Sequence, residues 1–225
     1  FSMCFAMLLK SRMKCIGWSV PIVHCVAPTV WAWGSWRAKK FAMAMDGLLC
    51  LFPFEPRYFQ KFCLNAKFIG HPEAFENYSP RKPSKKNLGK SRKIILLPGS
   101  RRTEIKFILP EMLLASAILK QHDPKFSFVL VAVPHLLPMI SAYAKGYDID
   151  IKVCKDDLIP ALQSSDAMIA TTGTVTLQAA LCGTAGITCY RTGAFSAFIG
   201  RQLVNLDRVV LPNVILEQKL YPFYF

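Results

Sequence analysis

The chain has 225 residues, with 28 Lys and Arg against 14 Asp and Glu, a formal net charge of +14. At 52% hydrophobic and 19% charged it is too apolar for a disordered chain, and its 12 glycines and 15 prolines follow no period, which excludes collagen-like and low-complexity classes. A chain of this length hides about 70% of its unfolded surface, enough for one large or two small domains.

The charge is uneven. Residues 1–106 hold 19 Lys and Arg against 5 Asp and Glu, while residues 107–225 hold 9 of each. A basic first half points to an anionic partner: nucleic acid, anionic lipid or a phosphorylated substrate.

In chain order, FSMCFAMLLKSR (1–12) places its apolar run before its charges, the reverse of a signal peptide. Residues 15–36 contain no Lys, Arg, Asp or Glu, a length that could span a bilayer. Pro21, Pro28, Gly17, Gly34 and His24 argue against a spanning helix, and VPIVHCVA (20–27) reads as a short buried strand. WAWGSW (31–36) sets three indoles beside Arg37, Lys39 and Lys40, a pattern that suits a membrane interface or a packed loop before a basic helix. Residues 37–50 read as a helix running into apolar chain, 51–59 as a turn with a short helix, and 67–72 as a strand ending in a Gly-His-Pro turn. Residues 77–93 are polar, Pro-containing and basic, the natural linker. The expected division is a first domain over 1–80, a basic linker over 81–92 and a second domain over 93–225.

Strand and helix then alternate. Strands are expected at 93–97, 126–134, 150–154, 166–171 and 185–191, and helices at 104–121, 156–165 (capped by Asp156 and Asp157) and 175–183, with a weaker one over 135–146. That rhythm predicts an α/β unit with a parallel sheet covered on both faces, whose ligand lies outside the carboxyl ends of the strands.

Two turns sit at such ends. In Leu97-Pro98-Gly99-Ser100-Arg101-Arg102 the glycine lets backbone approach a ligand. Ser100 and free amides can meet phosphate oxygens, and Arg101 can add a forked contact. In Thr171-Thr172-Gly173-Thr174 small hydroxyl residues precede a helix whose amides and dipole favour an anion. Each alone is also an ordinary strand-to-helix turn; two on one sheet favour a nucleotide diphosphate. No nucleophile triad or G-x-S-x-G is present, and His24, His71, His122 and His135 lack metal-ligand spacing. His71 could act in catalysis or simply bond the backbone of its turn. The eight cysteines show no C-x-x-C and read mostly as buried free thiols. A non-enzymatic basic module binding RNA or anionic membrane through 81–106, with 10 Lys and Arg against one acid, is a competing reading, as is a UDP-sugar epimerase.

VPIVHCVAPTVWAW (20–33), LLCLFPFEPRYF (48–59), FIGHP (68–72), ILLPGSRRTEI (95–105), ATTGTVTLQAALCGT (170–184), YR (190–191) and LPNVI (211–215) together resemble the lipid-A-disaccharide synthase family. The resemblance implies a GT-B-like α/β fold of two Rossmann-like domains. It implies an inverting glycosyltransferase of lipid A biosynthesis that moves 2,3-diacylglucosamine from its UDP derivative to 2,3-diacylglucosamine 1-phosphate (lipid X). No metal or other cofactor is expected. The expected partners are the UDP-sugar, the lipid X acceptor and the anionic inner-membrane surface of a Gram-negative bacterium, approached from the cytoplasm as a peripheral protein. No nucleic acid is expected, and a homodimer is left open.

By the same resemblance Gly99, Ser100 and Arg101 would contact the diphosphate, with Thr172, Gly173 and Thr174 lining the pocket from the second turn. Gln178 stands where the family usually has a ribose-binding Glu. Asn213 matches a position near the donor, and Trp31 and Trp33 match the acceptor and membrane side. The family's opening strand, its Gly/Ser-rich loop and its proposed catalytic Asp would fall before Phe1. Its C-terminal closing helices are not seen after YPFYF, Phe223 stands where a Glu is usual, and Ala185 where a Pro is usual. These departures lead to the expectation of a partial form with little or no transferase activity, whose first domain is an open sheet with exposed apolar edges.

Overall fold

The computed structural model describes residues 2–76, 78–80, 92–147, 151–155, 158–193, 200, 202, 204 and 208–225. Most of the basic linker and the Asp156-Asp157 cap lie outside the described residues. The chain forms two compact units, one of Phe1–Glu76 with Leu203–Asn205, the other of Asn77–Gln202 with Leu206–Phe225.

The first unit begins with helix α1 (Ser2–Cys15), which the sequence reading did not assign. Three short parallel strands follow in the order β1 (Val23–Cys25), β2 (Gly47–Cys50), β3 (Asn65–Phe68), interleaved with α2 (Arg37–Ala44) and α3 (Pro56–Gln60). The helix expected over 37–50 therefore ends at Ala44, and its apolar tail becomes β2. The core gathers Val30, Phe41, Leu48, Cys50, Phe59 and Leu64. The expected buried strand at 20–27 is corrected in part: β1 forms, but Val23 and Val26 are more than half exposed. Among the described residues β1 pairs only with β2, so its outer edge has no neighbour to cover it. Phe5, Leu8, Ile16 and Trp18 are exposed as well.

The second unit is a six-stranded, wholly parallel sheet. Its elements are β4 (Arg92–Leu97), α4 (Arg102–His122), β5 (Phe126–Ala132), α5 (Leu137–Ala144), β6 (Ile151–Lys155), α6 (Leu158–Ser164), β7 (Ala167–Thr171), α7 (Thr174–Leu181), β8 (Ala185–Cys189), α8 (Leu211–Leu216) and β9 (Phe223–Tyr224). The strand order is β6-β5-β4-β7-β8-β9. Counted within the unit this is 3-2-1-4-5-6, the doubly wound order, and its direction reverses between β4 and β7. The predicted alternation of strands and helices is observed.

Strand β4 explains why both faces are covered. Its side chains point alternately to opposite sides. Ile94 and Leu96 pack with Ile105, Ile108, Leu109, Met112 and Leu113 of α4. Ile95 and Leu97 pack with Ala161 and Leu162 of α6 and Ala179 of α7. Burying one such Leu or Ile contributes about 1.5–3 kcal/mol, so this strand ties both layers together. A polar clasp closes its start. The Lys93 N–H donates to Asp166 Oδ2 at 2.8 Å, and the Asp166 N–H donates to the Lys93 carbonyl at 2.7 Å. No described helix is long and apolar enough to cross a membrane.

Candidate functional site

At the carboxyl ends of β4 and β7, where the strand order reverses, lies an open cavity of about 490 Å³. Both predicted turns line it. Gly99, Ser100, Arg101 and Glu104 come from the β4–α4 turn, and Thr171, Thr172, Gly173 and Thr174 from the β7–α7 turn. Gln178, one helical turn further along α7, completes the wall with Val131, Ala132 and Val133 of the β5 end. Seven residues singled out from the sequence thus meet in one place.

The two turns are built differently. Gly99 has φ +108°, a left-handed value that only glycine adopts without strain. That turn lets the Ser100 and Arg101 N–H groups both donate to Glu104 Oε2, at 2.9 and 3.1 Å. Arg101 Nη1 adds a 2.6 Å bond to Glu104 Oε1. Glu104 at the third position of α4 is the carboxylate half of a capping box. The amides expected to be free for phosphate at this turn are therefore already occupied, a correction to the sequence reading. Glu104 was missed because the rule looks for Ser or Thr at the cap, and Arg101 stands there. The Arg101 side chain is 77% exposed, so most of its five N–H donors face outward.

At the second turn Gly173 caps α7 with φ +146°, and among the described residues no side chain caps this helix. The helix start is thus presented to the cavity with its positive dipole end uncovered. Beneath it Thr171 is 3% exposed, and its buried hydroxyl has no hydrogen-bond partner among the described residues. One uncovered helix start and one guanidinium around an opening of this size suit a ligand with adjacent negative groups.

Three other predicted residues lie outside this cavity lining. Asn213 sits on α8, where its amide is engaged twice by Tyr221: Nδ2 donates to the Tyr221 carbonyl at 2.8 Å and Oδ1 accepts the Tyr221 N–H at 2.9 Å. Trp31 and Trp33 belong to the first unit. Trp31 is buried against Phe54 in an edge contact of 5.4 Å, whereas Trp33 is 43% exposed and lies under the Arg37 guanidinium, 3.6 Å from its ring centre.

The first unit also holds a buried acid. Glu55, 2% exposed, accepts the N–H groups of Leu51 and Phe52 through Oε2, each at 3.0 Å. Burial raises its carboxyl above the usual 4.5, although those amides and the Trp31 indole favour the ionised form. The Trp31 N–H itself meets no acceptor in hydrogen-bonding geometry. Burial, with the Glu55 charge, pushes the Cys50 thiol up to about 12. His71 accepts the Glu73 N–H through Nδ1 at 3.2 Å and stacks on Phe52, so it closes its own turn. The expectation of mostly buried cysteines is corrected: Cys4, Cys15, Cys25 and Cys63 are exposed, Cys189 is half-buried, and Cys50 and Cys182 are buried. An apolar run marks burial only where another element covers it.

A family model described as lipid-A-disaccharide synthetase matches residues 2–224. The lipid-A-disaccharide synthase of Nitrosococcus oceani is 30% identical over 230 residues, covering 97% of this chain and 57% of that protein. That of Syntrophotalea carbinolica is 33% identical over 217 residues, covering 94% and 55%. The chain thus spans a little over half the length of these curated relatives. A solved structure, the GtfA/B complex, superposes with a TM-score of 0.52 at 10% identity, covering 98% of this chain and 49% of that one. That likeness shows a shared fold.

Proposed function

As a member of the lipid-A-disaccharide synthase family, the chain, we propose, carries the nucleotide-sugar half of an inverting glycosyltransferase that joins 2,3-diacylglucosamine from its UDP derivative to lipid X. The observation that carries this is the cavity at the switch point, with both phosphate-type turns on its wall. Residues 93–225, which make up most of the second unit, form the UDP-sugar-binding domain. Within it the start of α7 and the Arg101 guanidinium hold the diphosphate, and Ser100, Thr172 and Thr174 supply hydroxyl contacts. Gly99 and Gly173 let the backbone come close. Gln178 meets the ribose through a carbonyl oxygen, without the charge of a carboxylate. The residues before the linker form the acceptor and membrane side. Trp33, Trp36, Lys39, Lys40 and Met43 are exposed there, a mix of indoles and cations that suits an anionic lipid surface at the cytoplasmic face.

These residues bind and orient a donor; none of them is assigned as the base that takes the acceptor hydroxyl proton. The test is titration calorimetry of the 225-residue chain with UDP. Binding is expected, and Arg101→Ala is expected to weaken it about tenfold, the worth of one charge-assisted contact. A folded chain that gives no heat with UDP rejects the reading. A steep salt dependence with RNA and no UDP response would favour the basic-module alternative instead.

A further inference from the structure

The β4–α4 turn has the form of an anion nest, and its anion is part of the chain. Two successive backbone N–H groups, of Ser100 and Arg101, converge on one oxygen of Glu104, and the Arg101 guanidinium takes the other. The carboxylate is buried, with a side-chain exposure of 6%. A buried carboxylate persists when such donors replace its lost water. Gly99 belongs to the same construction, because a Cβ there would overlap Glu104 Oε2. A phosphate seeking these amides would have to displace a tethered, fully bonded group.

The other end of that ion pair is different. Arg101 is tied to the nest through Nη1 alone, while its side chain reaches out at the cavity wall. Free in solution, an arginine side chain gives up rotamer entropy to be fixed. Glu104 removes part of that freedom before any ligand arrives. It also places a negative charge near the cavity, which by itself would repel a diphosphate. The two effects have opposite signs, so a measurement can tell which governs.

We propose that Glu104 is a positioning residue. It fills the amide nest of the β4–α4 turn with a permanent internal anion and aims Arg101 at the ligand, so that the diphosphate is shared between Arg101 and the start of α7. This rests on the nucleotide reading of the cavity and adds a residue that reading did not contain.

The experiment uses the whole chain, UDP as probe and four proteins: wild type, Glu104→Ala, Arg101→Ala and the double variant. Glu104→Ala is expected to bind UDP about tenfold more weakly. Added acetate, a free carboxylate that fits the vacated nest, is expected to restore much of the loss; a role in stability alone gives no such rescue. The double variant is expected to bind no more weakly than Arg101→Ala, because both changes remove one device. Should Glu104→Ala fail to fold, Glu104→Gln takes its place, since one carbonyl oxygen keeps the two amide bonds and loses the ion pair. UDP binding that is unchanged or tighter in the Glu104 variant overturns the proposal, as do losses that add in the double variant. A wild-type chain that binds no UDP removes the parent reading and this one together; wild-type binding with an indifferent Glu104 variant removes this one alone.

Discussion

Asn213 and Tyr221 hold each other through a paired amide contact: the side chain of one donates to and accepts from the backbone of the other, at 2.8 and 2.9 Å. Tyr221 is 3% exposed, and its hydroxyl donates to the Thr184 carbonyl at 2.8 Å. The amide therefore locks the turn after α8 onto the sheet just before β9. Asn213→Ala leaves a buried backbone N–H and C=O without partners. It is expected to cost about 1–3 kcal/mol of stability by urea unfolding. UDP affinity of the folded variant should change far less than in Arg101→Ala. A loss of UDP binding equal to that of Arg101→Ala would place Asn213 at the ligand after all.

Thr171 gives a prediction of the opposite sign. Its buried hydroxyl has no partner among the described residues, and valine has nearly the same shape and a good fit to a strand. Thr171→Val is expected to raise the unfolding free energy by about 1 kcal/mol. Because the residue lines the cavity, the same change is expected to weaken UDP binding. Destabilisation of the ligand-free protein would show that the hydroxyl has a partner there.

The buried Glu55 makes stability depend on pH. Burial raises its folded-state value above 4.5, so the protonated form is favoured in the fold. The wild-type protein is therefore expected to be most stable below 4.5 in this respect, and to lose that contribution as the pH rises through the raised value. Glu55→Gln cannot ionise, so its stability relative to wild type should climb over the same window. Urea melts of both proteins at a series of pH values measure the gap. A gap that stays constant rejects the preference for the neutral acid.

Thiol chemistry separates the cysteines by environment. Cys4, Cys15, Cys25 and Cys63 are exposed and are expected to react first with iodoacetamide at neutral pH. Cys50, with its thiol pushed up to about 12, and Cys189, pushed up to about 11 by burial, are expected to lag by an order of magnitude or more. Peptide mass mapping of a timed alkylation reads the order. Rapid labelling of Cys50 in folded protein would contradict its burial in the first core.

Much of the second unit could be read from the chain because its strands are apolar on both faces and its turns carry Gly, Pro, Ser and Thr at the strand ends. The same features put both turns of the site within reach. What escaped was decided by contacts across the fold. Glu104 looks like any surface acid of a first helical turn, until its bonds to Ser100 and Arg101 are seen. Val131–Val133 read as core strand, and their place beside the cavity follows only from β5 pairing with β4. In the first unit α1 escaped because its apolar and basic residues follow no helical stripe. VPIVHCVA reads as a buried strand because nothing in it says which neighbours cover β1.

The Lys93–Asp166 clasp has a bearing on the accuracy of the cavity. A strand that buries apolar side chains on both faces can slide by one residue with little loss of core energy, since Ile94 and Leu96 would trade places with Ile95 and Leu97. Such a slip would carry Gly99, Ser100 and Arg101 about 3.3 Å along the sheet and turn them to the wrong side. The paired bonds at the start of β4 and β7 work as a ruler: they fix zero at one end of the strands, and the distance to the cavity at the other is then counted out in whole residues.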